Sequence, residues 1–140
     1  MLKGEHHYAL DEKGRVVLPP RFRRVLGDTV TVTRGLDKCL FVYSEDEWAR
    51  VEEKLRGLPL TQRESVRFLL SGAVDCEMDR QGRITLPPYL RTYAEIDRDA
   101  VVVGMINRLE IWSQENWTAY LERMQSAPQQ LASQLEGLIL

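Results

Sequence analysis

Residues 11–20 read Asp-Glu-Lys-Gly-Arg-Val-Val-Leu-Pro-Pro, and residues 79–88 read Asp-Arg-Gln-Gly-Arg-Ile-Thr-Leu-Pro-Pro. Six of the ten positions are identical at a constant offset of 68 residues. A second block follows each copy, because residues 35–48 align with residues 104–117 at an offset of 69. Two aligned blocks in the same order do not arise by chance. The chain is therefore an internal duplication of a unit of about 70 residues.

The sequence around each copy predicts the same order of elements in both halves. Each Asp-x-x-Gly lies between two short predicted strands and has the residue types of a hairpin turn, because Asp accepts turn N–H groups and Gly adopts positive φ easily. The paired prolines favour a short helix after the second strand. Two β-branched strands and an amphipathic helix follow, with the helices opening at Ser44 and Ser113. Each half is predicted to be β-β-α-β-β-α.

The size of the repeat indicates that the two halves share one core. A unit of about 70 residues buries too little apolar surface to be more than marginally stable alone. We expect a small barrel of two interlocked halves with helices around it, in which the two turns lie close together about a pseudo-two-fold axis. The predicted divisions are a first repeat with its connecting helix (1–73), a second repeat (74–125) and a C-terminal tail (126–140). The apolar end of the tail, Leu138-Ile139-Leu140, is expected to contact a neighbouring molecule.

The charge distribution indicates a polyanion as the partner. The chain has a net charge of −2. Residues 11–24 nevertheless carry five basic against two acidic side chains, and residues 79–91 carry three against one. A basic face on an acidic molecule can bind nucleic acid without binding every surface.

The sequence contains no recognisable catalytic motif. It has no Gly-rich phosphate loop, nucleophile elbow or His-Glu-x-x-His motif. His6 and His7 are adjacent and form no metal site by themselves, while Cys39 and Cys76 are interpreted as small apolar side chains. We expect no enzyme activity, catalytic residue, cofactor or metal. We also expect a cytoplasmic protein without a membrane partner, since no apolar run could span a bilayer and no apolar signal region begins the chain.

The best candidates for function are the cations at the two turns. Arg15 and Arg83 occupy equivalent positions just past the turn glycines, with Lys13 and Arg80 near the tips. Arginine suits bidentate contact with guanine or phosphate, and a two-stranded hairpin can enter a major groove. The alternative is that each Arg only braces the Asp four residues earlier, although both roles can hold together. Structural support of the turns is assigned to Asp11, Gly14, Asp79 and Gly82.

These motifs resemble the MraZ family of bacterial transcriptional regulators. The resemblance covers about residues 1–125 and rests on Leu10-Asp11-x-x-Gly14-Arg15, Thr33-Arg34-Gly35-Leu36-Asp37-x-Cys39-Leu40, Ser71-Gly72-Ala73 and Asp79-x-x-Gly82-Arg83-Ile84. It implies an α+β, β-rich fold, namely a duplicated swapped-hairpin (double-psi-like) β-barrel shared with AbrB-type DNA-binding proteins. Here both units are in one chain.

The resemblance also implies a function and an assembly. It implies a ring-shaped, nucleoid-associated homo-oligomer that binds short G-rich direct repeats in double-stranded promoter DNA of the division and cell-wall gene cluster. The DNA-contacting residues of the family map to Arg15 and Arg83, with Lys13 and Arg80 as neighbours. The second motif has Arg80-Gln81 where the first has Glu12-Lys13, so the repeats need not contact DNA identically. The rival interpretation is an AbrB-like antitoxin or interaction module that binds a protein partner, which usually carries one such unit per chain.

Overall fold

The computed structural model describes residues 1–139, and its elements follow the predicted order in both halves. The first half comprises β1 (Leu2–Ala9), β2 (Arg15–Val17), α1 (Pro20–Leu26), β3 (Thr29–Arg34), β4 (Leu40–Ser44) and α2 (Glu45–Arg56). The second half comprises β5 (Val74–Glu77), β6 (Arg83–Thr85), α4 (Pro88–Tyr93), β7 (Asp99–Ile106), β8 (Leu109–Ser113) and α5 (Gln114–Gln125). A 3₁₀ turn (Leu60–Gln62) and helix α3 (Arg63–Ser71) follow the first half, and helix α6 (Pro128–Leu138) follows the second.

Local sequence signals begin the helices at equivalent positions. The hydroxyl of Ser44 accepts the N–H of Glu47 at 3.2 Å, and the hydroxyl of Ser113 accepts the N–H of Asn116 at 3.0 Å. Helices α1 and α4 begin at the second proline of each Pro-Pro pair. A proline at that position loses no hydrogen bond, because the first N–H groups of a helix have no partner within it.

Strand pairing joins the two halves. Six strands form one antiparallel sheet in the order β1-β7-β8-β4-β3-β5, and β2 and β6 form a separate antiparallel ribbon. Strand β1 of the first half pairs with β7 of the second, and β5 of the second half pairs with β3 of the first. The halves are therefore interlocked rather than joined as separate beads.

The two strands that flank each turn do not pair with each other, contrary to the hairpin predicted from the turn residues. Strand β1 pairs with β7 along its whole length, whereas β2 pairs with β6 of the other half. Hairpin hydrogen bonding is confined to the turn itself, where the N–H of Asp11 donates to the C=O of Arg15 at 3.1 Å. Burial explains the exchange, since Val16 and Ile84 are fully buried where β2 and β6 cross the core.

The strand registers define a pseudo-two-fold axis that relates the halves. In the ribbon, Val16 pairs with Ile84, which is its own equivalent at the offset of 68. At the centre of the large sheet, Phe41 pairs with Glu110, its equivalent at the offset of 69. Because each residue meets its own equivalent, the axis passes through both pairs.

The large sheet separates two apolar clusters. One face packs against the β2·β6 ribbon and helices α1 and α4 around fully buried side chains, which include Val16, Leu18, Phe22, Ile84, Leu86 and Leu90. The other face packs against α2, α3 and α5 through an aromatic cluster formed by Phe41, Tyr43, Trp48, Trp112, Trp117 and Tyr120. The ribbon and helices α2, α3 and α5 therefore lie on opposite faces of the sheet.

The remaining expectations concern single residues and the tail. Cys39 and Cys76 are buried and not joined in a disulfide, and burial raises the pKa of the Cys76 thiol to about 11, as befits small apolar side chains. None of the helices within residues 1–139 has the length and apolar composition that a membrane span requires.

Leu138 and Ile139 are 79% and 77% exposed. Leu140, the third residue of the apolar end, lies outside the described residues.

Candidate nucleic-acid interface

The first turn, residues 11–15, is held by the carboxylate of Asp11. Its Oδ1 accepts the backbone N–H groups of Lys13 and Arg15, both at 2.9 Å, and its Oδ2 accepts Nε–H of Arg15 at 2.5 Å. The N–H of Gly14 donates to the C=O of Asp11 at 3.0 Å. Gly14 has a φ of +76°, which glycine adopts with little strain. Asp and Gly are therefore the residue types that this turn needs.

The second turn, residues 79–83, repeats these contacts. Oδ1 of Asp79 accepts the backbone N–H groups of Gln81 and Arg83 at 2.9 Å, and Oδ2 accepts Nε–H of Arg83 at 2.8 Å. The φ of Gly82 is also +76°. In each turn the backbone N–H of the turn arginine, followed by its side chain, lowers the pKa of the aspartate below its ordinary value. Both carboxylates are therefore ionised near neutral pH.

Crossed hydrogen bonds hold the two turns side by side. The N–H of Leu18 donates to the C=O of Gly82 at 2.9 Å, and the N–H of Leu86 donates to the C=O of Gly14 at the same distance. Nη1 of Arg83 is 3.7 Å from Oδ2 of Asp11 in the other turn. The predicted proximity of the two motifs is confirmed by these contacts, and their separation is fixed by the backbone.

Both predicted arginines brace their own turns. The side chains of Arg15 and Arg83 are 28% and 26% exposed, and each uses Nε–H to contact its aspartate. Within residues 1–139, no hydrogen bond occupies their Nη groups. A guanidinium held through Nε keeps its outer N–H groups in a fixed plane, which suits a bidentate contact. The bracing role is thus present in both copies, and it fixes the orientation of each guanidinium.

Two further arginines, Arg23 and Arg91, lie at the turns although they are not part of the Asp-x-x-Gly-Arg motifs. Nε–H of each donates to the backbone carbonyl five residues earlier, at 2.9 Å and 3.1 Å respectively. Each guanidinium reaches the turn of the other half, because a Cβ on Gly82 would lie 1.9 Å from Cζ of Arg23, and a Cβ on Gly14 would lie 2.9 Å from Cζ of Arg91. The signal that could have found them is their spacing, since they too are 68 residues apart.

The tips of the turns add two exposed cations, Lys13 and Arg80. They are not equivalent, because Arg80 aligns with Glu12 and Gln81 aligns with Lys13. The two turns, together with Arg23 and Arg91, contain six cations and three carboxylates. Their local charge is +3, although the net charge of the chain is −2. The cations are Lys13, Arg15, Arg23, Arg80, Arg83 and Arg91, and the carboxylates are Asp11, Glu12 and Asp79. Such a surface attracts polyanions.

Two stretches of the chain match the same family model. The model, described as "MraZ protein, putative antitoxin-like", matches residues 1–70 and again residues 69–135. The two matches divide the chain as the internal duplication does.

Relatives named "Transcriptional regulator MraZ" align over nearly the whole chain. The protein of Desulforamulus reducens is 49% identical over 142 aligned positions, covering 99% of this chain and 100% of the relative. That of Desulfitobacterium hafniense is 51% identical, covering 99% of this chain and 97% of the relative. That of Natranaerobius thermophilus is 49% identical, covering 96% of each. This chain belongs to the MraZ family.

Proposed function

We propose that this chain is a sequence-specific DNA-binding transcriptional regulator that contacts double-stranded promoter DNA through its two Asp-x-x-Gly-Arg turns. The observation that carries the proposal is the pair Arg15 and Arg83 on a locally positive surface. Each is oriented by the aspartate of its own turn, and crossed backbone hydrogen bonds hold the two turns side by side. The name that the relatives share, transcriptional regulator, supports the same function.

An oriented guanidinium suits base contact better than a mobile one. Arginine donates two hydrogen bonds to O6 and N7 of guanine in the major groove, and such a pair gives about 1–3 kcal/mol of discrimination. Because Asp11 and Asp79 already restrict Arg15 and Arg83, less side-chain freedom remains to be lost on binding. The exposed tip cations Lys13 and Arg80 suit phosphate contacts, which position a protein without selecting a sequence.

The family resemblance supports finer expectations. We propose short G-rich direct repeats in the promoter of the division and cell-wall gene cluster as the target, and the nucleoid within the cytoplasm as the location. We also propose that the halves form a swapped-hairpin, double-psi-like barrel, which the pairing of β2 with β6 and of β1 with β7 supports. The proposed units are residues 1–73, 74–125 and 126–140.

We propose further that several copies assemble into a ring. Linked binding sites raise the effective concentration of each turn pair at neighbouring boxes, so weak single contacts can give tight binding overall. The exposed apolar side chains of Leu135, Leu138 and Ile139 support an assembly, because such surface is usually covered in soluble proteins.

Arg15→Ala and Arg83→Ala, made singly and together, test the DNA contact. Binding to promoter DNA with G-rich boxes is measured by fluorescence anisotropy across a salt series. Each single change should weaken binding by about 1–3 kcal/mol and relax base preference, and the double change should nearly abolish binding. Lys13→Ala and Arg80→Ala should weaken binding equally on all sequences and lower the salt slope by about one.

Arg56→Ala is the matched control, since Arg56 is an exposed cation on α2, on the opposite face of the sheet. It should leave DNA affinity unchanged. Unchanged affinity in the Arg15→Ala, Arg83→Ala double variant, with the fold intact, would end the proposal. A lower melting temperature with unchanged affinity would assign both arginines to bracing alone.

A second candidate function is the binding of a protein partner, as an antitoxin binds its toxin. One observation favours it, namely the words "antitoxin-like" in the description of the matching family model. The duplication argues against it, because AbrB-like antitoxins usually carry one such unit per chain. Wild-type protein that fails to bind promoter DNA even at low salt would favour this second function over the first.

A further inference from the structure

The exchange of strands between the halves also exchanges the helices that flank the two turns. Arg23 of α1 lies against Gly82 of the second turn, and the N–H of Leu18, just before α1, donates to the C=O of that glycine. In the same way, Arg91 of α4 lies against Gly14 of the first turn. Each turn is therefore flanked by the short helix of the other half.

This pairing of turn and helix divides the charged surface into two ends. The second-turn end consists of residues 79–83, α1 and the loop 27–28 that follows α1, and it carries five basic and two acidic side chains. The first-turn end consists of residues 11–15, α4 and the loop 94–98, and it carries four basic and four acidic side chains. The second-turn end therefore has a charge of +3, whereas the first-turn end has no net charge.

Two exposed arginines of α1 account for most of this difference. Arg21 and Arg24 are three residues apart and so lie on the same side of the helix. The other side of α1 carries the buried side chains of Phe22 and Leu26. Within residues 1–139, neither arginine forms an ion pair, and Nη2 of Arg21 lies 3.4 Å from Nε2 of His6. Burial and the neighbouring Arg21 lower the pKa of His6, so His6 is neutral near pH 7.

Helix α4 has neutral side chains at the equivalent positions. At the offset of 68, Tyr89 corresponds to Arg21, and Thr92 corresponds to Arg24. The hydroxyl of Tyr89 donates to the C=O of Gly72 at 2.9 Å, and Thr92 is exposed. Since α4 packs without a cation at either position, the fold does not require Arg21 and Arg24 to be charged. Their charges are therefore available for a partner.

The position of α1 suits contact with a phosphate backbone. The major groove is about 12 Å wide, so a turn that enters it brings the helix beside that turn over the phosphates at the edge of the groove. Helix α1 has seven residues and is therefore about 10 Å long, which keeps Arg21 and Arg24 close to the second turn. Free guanidinium groups bind phosphate oxygens through paired N–H donors.

We propose that Arg21 and Arg24 bind DNA phosphates beside the second turn, so that the second-turn end supplies most of the salt-dependent affinity for DNA. The inference rests on the proposed function and adds two binding residues to it. The first-turn end, which has no net charge, contributes chiefly through base contact by Arg15. The two turns therefore have unequal roles, although their backbones are equivalent.

Paired substitutions that remove the same charge from different places test the inference. The alanine pair, Arg21→Ala with Arg24→Ala, removes two cations from α1. The matched control, Lys54→Ala with Arg56→Ala, removes two exposed cations from α2, on the opposite face of the sheet. The lysine pair, Arg21→Lys with Arg24→Lys, keeps both charges. Affinity for promoter DNA with one G-rich box is measured by fluorescence anisotropy across a salt series, and thermal unfolding checks the fold of each full-length protein.

The salt dependence of binding is the first readout. The alanine pair should lower the slope of log affinity against log salt by about 1.8, because each phosphate contact contributes about 0.9. Its base preference should not change, since phosphate contacts carry no sequence information. The lysine pair and the α2 control should both keep the wild-type slope.

The second readout locates the contacts on the DNA. Two duplexes hold the same box, and each is shortened close to the box on one side only. Wild type should bind one duplex more weakly than the other, because only one of them lacks the phosphates that α1 contacts. The alanine pair should bind both duplexes about equally. Thr92→Arg, added to the alanine pair, places a cation on α4 at the position equivalent to Arg24 and should reverse the wild-type preference.

Three results would overturn the inference while the proposed function stands. An unchanged salt slope in the alanine pair, when Arg15→Ala does weaken binding, would show that α1 contacts no phosphate. An equal loss of slope in the α2 control would assign the effect to the charge of the whole chain. Equal binding of wild type to the two shortened duplexes would show that both ends contribute alike. Wild type that binds no promoter DNA would overturn the proposed function and the inference with it.

Discussion

The Asp11 and Asp79 turns keep the same contacts in both halves, whereas helices α3 and α6, which follow the two halves, differ in placement. Each turn contacts its counterpart across the pseudo-two-fold axis, through the hydrogen bonds that Leu18 and Leu86 donate to the turn glycines. A change in one turn therefore alters the surroundings of the other. Helix α3 packs on the sheet, but α6 does not. The comparison teaches that the two halves keep the same structure where they contact each other, and that they differ where they do not.

The largest expected effect lies at equivalent positions of the shared core. Leu18 and Leu86 are both fully buried, one in each half. Leu18→Ala and Leu86→Ala should each lower the free energy of unfolding by about 2–5 kcal/mol, because each removes apolar contacts and leaves a cavity. Urea unfolding measures both losses. Leu60→Ala, at an exposed position, should change stability by less than about 0.5 kcal/mol. A large loss of unfolding free energy in only one of the two core variants would show that the halves are not equivalent in the core.

An intermediate effect is expected at the turn glycines. Gly14→Ala and Gly82→Ala place a side chain at a φ of +76°, which costs about 1–2 kcal/mol. Gly82→Ala should lower the melting temperature more, because its Cβ would lie 1.9 Å from Cζ of Arg23 and would displace a guanidinium that donates to the C=O of Leu18. At Gly14 the corresponding distance to Cζ of Arg91 is 2.9 Å, so a smaller shift suffices. Gly137→Ala in α6 is the control, since no atom lies within 4 Å of its Cβ position, and alanine should stabilise that helix. Equal losses of melting temperature in the two variants would contradict the expectation that Arg23 is closer to Gly82 than Arg91 is to Gly14.

The smallest effect is a dependence of stability on pH. The pKa values of Asp11 and Asp79 are lowered in the folded state, chiefly by backbone N–H groups, so their contribution is present above the ordinary Asp pKa of 3.8. It is lost as the pH falls through the lower folded values. Melting temperature, measured from about pH 5 down to about pH 2, should fall more steeply for wild type than for the Asp11→Asn, Asp79→Asn double variant. Parallel curves would show that the turn carboxylates do not stabilise the ionised folded state.

The order of elements could be predicted because its signals are local. The Ser44 and Ser113 caps, the Pro-Pro helix starts and the β-branched strands lie where the sequence indicates them. The partner of each strand could not be predicted in this way. The turn residues favour a hairpin, and they do form its closing hydrogen bonds. The choice of β6 over β1 as the partner of β2 depends on burying Val16 against Ile84, which are 68 residues apart.

The candidate site was also predicted only in part, because some of its residues form a local motif and others are brought to it by contacts between the halves. Asp11, Arg15, Asp79 and Arg83 form one motif in the sequence, and the structure brings both copies together. Arg23 and Arg91 lie in helices that follow the motif, so no local pattern connects them with the turns. They reach the turn glycines because the halves are interlocked, and each crosses to the other half. In the sequence, the one sign of their role is that Arg23 and Arg91 occupy equivalent positions of the two repeats.

The joining of two unequal turns in one chain gives the molecule a polarity. A dimer of identical units presents the same side chains on both sides of its two-fold axis and therefore matches a palindrome. Here one tip carries Glu12-Lys13 and the other carries Arg80-Gln81, although the backbone around them is equivalent. We expect a DNA box contacted by both turns to have a left and a right end. Such a molecule can distinguish the two orientations of a box. It therefore suits boxes that are repeated in the same orientation rather than as inverted pairs.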